Sequence, residues 1–246
     1  MIAGRVGRYH QTESRRFGAM KTSPPRKYRA SEKRKVTKQQ NRAAIEAAAW
    51  DVFCTIGMDA ANIRDIVNRS GVSPGTFYNY FRTKEAIFRV LSQDLLERIR
   101  SEGREARAKA TSAEELVSLG YESYLNLLQS IDGALDFIDR NQHHIRSQLY
   151  PSSAMSGLTA DLEQDLRRFV PPAAMSQQDR ALVSSIIIAA GAEAVFHVGR
   201  KPRISMKYLR EFLTKFMMKG LGEWQPGEAN AARRHSAGKD NSKKGN

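Results

Sequence analysis

Residues 62–81 read NIRDIVNRSGVSPGTFYNYF and hold the densest set of side chains able to do chemistry. Phe77 and Phe81 are four residues apart and so share one face of a helix, while Thr76, Tyr78, Asn79 and Tyr80 point largely elsewhere. An exposed helix carrying two tyrosines, an asparagine and a threonine suits hydrogen bonding to phosphate oxygens and base edges, with aromatic contact to sugars or a thymine methyl. The same run contains Gly71-Val72-Ser73-Pro74-Gly75, the spacing of the G-x-S-x-G nucleophile elbow of hydrolases. That elbow requires a strand ahead of its serine, and a short polar helical pattern precedes this one, so nucleophilic chemistry is disfavoured.

Other candidate centres are poorer. His143 and His144 are adjacent, and adjacent helical residues diverge by about 100°, so the two do not face one metal ion. Neither a metal nor a cofactor is expected, and there is no phosphate-binding loop or dinucleotide fingerprint. Cys54 is the single cysteine. It excludes an internal disulfide, fits a reducing compartment and, beside an apolar stripe, reads as a buried structural thiol. Asn68-Arg69-Ser70 matches a glycosylation acceptor without a context that gives it meaning. An enzyme is not expected.

The elements that position residues 62–81 follow from periodicity. Ile45, Ala49, Val52, Phe53 and Ile56 form the stripe of an amphipathic helix closed by Gly57. Asn62 is an N-cap with Asp65 three residues on, opening a short helix that buries Ile63, Ile66 and Val67. Gly71 ends it. Ser73-Pro74 supplies a second N-cap followed by proline at the first helical position, predicting a second short helix to Phe81. Thr83 caps a long helix with Ile87, Phe88, Leu91, Leu95 and Ile99 on one face, running into a charged stretch near Glu105. Two short helices joined by a tight turn at Ser70-Gly71-Val72 have the helix-turn-helix layout, whose second helix enters the major groove. Free N–H groups at helix starts give Asn62 and Ser73 a second role towards phosphate.

Beyond a polar link at 109–112, helical patterns cover about 113–131, 133–149, 155–170, 177–199 and 204–221, with Pro151, Pro171-Pro172 and Pro202 in the gaps. No sustained two-residue alternation occurs, which predicts an all-α fold. The expected organisation is a disordered basic arm (1–36), a helix-turn-helix module (37–100), a second helical domain (110–222) and a disordered tail (223–246). Residues 1–40 hold 12 Lys/Arg against two acidic residues, most of the net charge of +14. Such an arm adds salt-sensitive, sequence-independent attraction for phosphate. No eighteen-residue run is wholly apolar and no apolar core follows the N-terminal arginines, so neither a membrane span nor a secretory signal is expected, and the location expected is the cytoplasm. Met20 is an alternative start.

Residues 41–99 resemble the DNA-binding domain of the TetR/AcrR family of tetracycline-repressor-like transcriptional regulators. The resemblance rests on the apolar helix ending at Gly57, then IRDIV, GVSPGTFYNYF and TKEAIF. It implies a homodimeric repressor of a double-stranded DNA operator, with contacts at Asn62, Ser73, Gly75, Thr76, Tyr78, Asn79, Tyr80 and, through the DNA backbone, Lys84. Asn62 stands where the family often has threonine, and Pro74 removes an N–H otherwise available to phosphate.

The resemblance further implies that segments 177–199 and 204–221 form the dimer bundle. It implies too that a small effector, lipophilic or aromatic, enters a cavity among helices 113–199 and releases DNA. Candidate ligand contacts are Tyr124, Leu128, Phe137, Arg140, His144, Tyr150 and Phe196. A nonspecific architectural DNA-binding protein is the alternative from another class; it predicts little base preference and no ligand response.

Overall fold

The computed structural model describes residues 26–149, 152–198 and 204–222, which form ten helices and no strand. In order these are α1 (Arg26–Thr55), α2 (Gly57–Ala60), α3 (Ile63–Ser70), α4 (Pro74–Tyr78), α5 (Lys84–Arg107), α6 (Ala113–Ser130), α7 (Ala134–Leu149), α8 (Ser153–Leu166), α9 (Gln177–Val198) and α10 (Met206–Gly222). The chain divides into two compact units, Met1–Gln40 and Asn41–Asn246.

In the first unit, helix begins at Arg26, which corrects the expected disordered arm over 26–36; residues 1–25, Met20 included, lie outside the described residues, as does the tail from 223. The reason is local. Ala30, Glu32, Lys33, Arg34 and Lys35 are good helix formers, and Glu32 pairs with Lys35 one turn on at 3.5 Å. Residues 32–40 are exposed, so this stretch is helical without any apolar face.

In the second unit, α1 buries Ile45, Ala49, Val52 and Phe53. Gly57 takes φ +77°, a conformation costly for other residues, and the chain then makes the one-turn α2, which periodicity alone does not reveal. The caps of the next helices are those expected from sequence. Asn62 and Asp65 form a reciprocal capping box, Gly71 closes α3 at φ +70°, and Ser73 and Thr83 accept from the N–H groups of Thr76 and Ala86. Each such cap contributes about 1 kcal/mol.

Helices α5 to α9 surround a common apolar interior. Arg100 bonds Asp161 through two nitrogens at 2.7 and 3.2 Å, and Arg107 bonds Asp165 at 2.8 Å, tying α5 to α8. Gly157 leaves room for this pairing, since a Cβ on it would lie 2.8 Å from the Arg100 guanidinium and the guanidinium would have to shift. α10 has two apolar faces. Leu209, Leu213 and Met217 are buried, whereas Tyr208, Phe212 and Phe216 remain exposed, stacked ring on ring at 6.3 and 6.2 Å. By length and composition alone α9 is apolar enough to cross a membrane, a property not expected from the sequence. It packs against α8 and carries the buried Arg180, whose guanidinium donates to the carbonyls of Val170 and Met175.

Candidate functional site

Phe77 is fully buried and Phe81 nearly so, which fixes the rotation of α4. The opposite face is thereby turned outward. Ser73, Pro74, Gly75, Tyr78 and Asn79 are exposed, and Thr76 and Tyr80 are partly so. Tyr78 leans edge-on against Phe77 with its ring more than half exposed. Nothing lies within 4 Å of where a Cβ on Gly75 would stand, so backbone approach is open at the start of α4. Asn62 is exposed while its side-chain oxygen accepts from Asp65 N–H. Arg64 and Arg82 are also exposed, on α3 and just after α4, and are candidates for phosphate that the helix-turn-helix pattern does not single out. The Ser73 hydroxyl caps α4 and pairs with the Thr76 hydroxyl at 2.9 Å, and α3 rather than a strand precedes it, so no nucleophile elbow forms.

Lys84, expected to touch the DNA backbone, has its ammonium turned inward among the described residues. Its ammonium donates to the carbonyls of Met58 at 2.7 Å, Asp59 at 3.2 Å and Ala61 at 2.7 Å. An ammonium has three N–H groups, and all three are used. Lys84 therefore closes the C-terminal end of α2 and places the α2–α3 turn; sequence could not show this because α2 itself is invisible there.

Inside the second unit a cavity of about 140 Å³ is walled by α5 to α9. Its α5 wall runs from Ser92 through Leu95, Leu96, Ile99 and Gly103 to Arg107. Fifteen steps of about 1.5 Å rise span about 22 Å, so the space is long and narrow. The Tyr121 hydroxyl donates to Ile187 carbonyl at 2.9 Å, and burial drives that phenol far above its ordinary range, leaving it neutral.

Residues 45–91 match the sequence profile of the bacterial regulatory proteins of the tetR family. Over this segment the chain carries the DNA-binding domain of the tetR family. Over 52 residues it is 43% identical to an HTH-type transcriptional regulator, YvdT, of Bacillus subtilis; the match covers 21% of this chain and spans 27% of that regulator's length. The fold is similar to that of the fatty acid degradation regulator FadR from Bacillus halodurans, with a TM-score of 0.62 at 20% identity over 71% of this chain and 93% of that one. FadR from Bacillus subtilis, whose structure is a complex with stearoyl-CoA, is similar at TM-score 0.63 and 19% identity over 73% of this chain and 98% of the other.

Of the expected ligand contacts, Tyr124, Phe137 and Phe196 line the cavity. Three others do not. Leu128 is buried in the core one turn beyond Tyr124 without reaching the cavity. Arg140 and His144 lie on the flank of α7 that meets the DNA-binding module: the Arg140 carbonyl backs Gly57, and His144 Nε2 is 2.7 Å from Asp59. The reason is helical phase: Ile138 and Ile145, seven residues apart and so on one face, both line the cavity, and Arg140 and His144 fall more than about 90° round the helix from them. Tyr150 lies outside the described residues. Reasoning from sequence missed Ser92 and Arg107 altogether; Arg107 sits in the charged end of α5, where solvent is the ordinary environment, and only Gly103 and Gly120 hinted at something large packed between α5 and α6.

The cavity and the DNA-binding module share a wall. Phe137 lines the cavity and stacks on Trp50 of α1 at 4.4 Å and on Phe88 of α5 at 5.3 Å. Trp50 Nε1 donates to Asp132 carbonyl at 2.9 Å, securing the contact.

Proposed function

We propose that this protein is a homodimeric transcriptional repressor that binds a double-stranded DNA operator through α3 and α4 and leaves it when a small lipophilic or aromatic effector enters the cavity. The observation that carries the reading is the outward face of α4, polar and aromatic at once, held against a rigid core by Phe77. Thr76, Tyr78, Asn79 and Tyr80 address base edges and the sugar-phosphate backbone, with the open backbone at Gly75 and the starts of α3 and α4, at Asn62 and Ser73, close to phosphate. Arg64 and Arg82 add charge, whereas Lys84 acts by positioning.

Two such heads must reach half-sites about 34–36 Å apart or a multiple of that, which calls for a dimer. Leu182 and Ile186 on α9 and Tyr208, Phe212 and Phe216 on α10 are each more than half exposed, an apolar set suited to a second copy. In this arrangement α9 is apolar because a partner covers it, and no membrane is involved; the site of action is the cytoplasm. A ligand induces only by favouring the arrangement that does not bind DNA. Displacement of Phe137 transmits occupancy to Trp50 and Phe88, and so to the angle of the DNA heads. The stearoyl-CoA of the similarly folded FadR supports a lipophilic effector.

The test is fluorescence anisotropy with DNA flanking the protein's own gene, against random DNA, at two salt concentrations. Preference for the native fragment, abolished by Tyr78→Ala and Asn79→Ala, supports the repressor. Equal and steeply salt-dependent binding to both DNAs favours the architectural alternative, for which the basic residues 1–40 speak.

A further inference from the structure

The cavity is apolar along its length but ends in a guanidinium. Arg107 is 5% exposed, and its only acceptor among the described residues is Asp165 Oδ2, reached from Nε. Its Nη2 is fully covered and has no hydrogen-bond partner. A buried donor left in this state costs about 1–3 kcal/mol, so its persistence calls for an explanation. Space for the head is deliberate. A Cβ on Gly103 would lie 2.9 Å from Nη1, and one on Gly120 would lie 3.4 Å from Cδ, so two glycines on facing helices make the slot in which Arg107 lies. Arg100, Arg104 and Arg107 pair with three carboxylates, Glu97, Asp161 and Asp165, and Arg168, which donates to the Arg107 carbonyl, adds a fourth positive charge beside them. The remaining lining, such as Leu95, Ile99, Leu162 and Ile188, offers nothing charged.

We propose that the cavity binds a slim apolar carboxylate, its chain lying along α5 and its carboxylate seated on the Nη edge of Arg107. The proposal rests on the cavity being the effector site and specifies what that effector is. The geometry is that of a guanidinium with two edges, one on Asp165 and the other free for a second carboxylate, the planar pairing that arginine makes best. A long, narrow apolar space selects a chain over a fused ring system. An acyl thioester lacks the anion at this point, and its bulky nucleotide has no counterpart in the apolar walls.

The test is isothermal titration of the full-length protein, without DNA, with dodecanoate, dodecanol and dodecanoyl-coenzyme A. Wild type is expected to bind dodecanoate at least ten-fold more tightly than the other two. Because Arg107→Met alone strands Asp165, the informative variant is the pair Arg107→Met with Asp165→Asn, which removes both charges. It is expected to retain dodecanol binding, itself evidence of an intact cavity, and to lose the ten-fold preference for the acid. Equal wild-type affinity for acid and alcohol, tighter binding of the thioester, or a preference that survives the double substitution would overturn the proposal. If the double variant loses dodecanol as well, the wild-type comparison decides alone. Dodecanoate that binds with the expected preference yet leaves operator affinity unchanged refutes release by ligand and keeps the Arg107 site; release by some uncharged apolar compound, with dodecanoate inert, does the reverse.

Discussion

The side-chain oxygen of Asn141 accepts the backbone N–H of Met58 at 2.7 Å, joining α7 to the one-turn α2. Its amide nitrogen donates to the carbonyls of Phe53 and Phe137 at 3.1 and 2.7 Å, so a single buried side chain ties the ends of α1, α2 and α7 together. Asn141→Leu removes all three of these hydrogen bonds to backbone groups and is expected to cost about 2–4 kcal/mol, at roughly 1 kcal/mol for each bond. Urea unfolding with an unchanged slope and a lower midpoint checks it; an unshifted midpoint refutes the coupling of α2 to α7.

Lys84→Met should weaken DNA binding through misplacement of the α2–α3 turn. The discriminating quantity is the salt dependence. Removal of a lysine that neutralises a phosphate lowers the slope of log affinity against log salt by about 0.9, whereas removal of a positioning lysine lowers affinity at constant slope and also lowers the thermal midpoint. The expected outcome is constant slope.

Phe212→Glu with Phe216→Glu places two charges on the exposed α10 ladder and spares the buried Leu209, Leu213 and Met217. Sedimentation is expected to show a monomer with unchanged helical content. Dimers that persist place the subunit interface elsewhere.

Burial, reinforced by Asp136, Asp51 and Asp132, pushes the Cys54 thiol up to about 12. The neutral thiol is the form the fold favours, so its contribution is whole below the ordinary thiol range and is lost as pH climbs towards 12. Alkylation at pH 8 should be far slower for the native protein than in urea; equal rates would show an open thiol. Asp161 has the opposite sign. Its hydrogen bond to Arg100 holds the carboxyl below its usual range, so the α5–α8 link is present above that range and lost on acidification.

The DNA-binding module was legible because its determinants are local. The capping box at Asn62 and Asp65, the left-handed turn at Gly71, the Ser73-Pro74 start and the Phe77–Phe81 pair each act within four residues, a range over which backbone geometry dictates the outcome. The same local rules placed the later helices to within a few residues. Tertiary structure alone decided what those helices do to one another. The α2 turn, the ammonium of Lys84 spent on three carbonyls, the buried amide of Asn141, the approach of His144 to Asp59 and the interior Arg107 all depend on partners 23 to 88 positions away in sequence. A charged residue near a helix end carries the same sequence signal whether it meets water or an aspartate on a neighbouring helix. Only packing, which removes the water, tells the two apart.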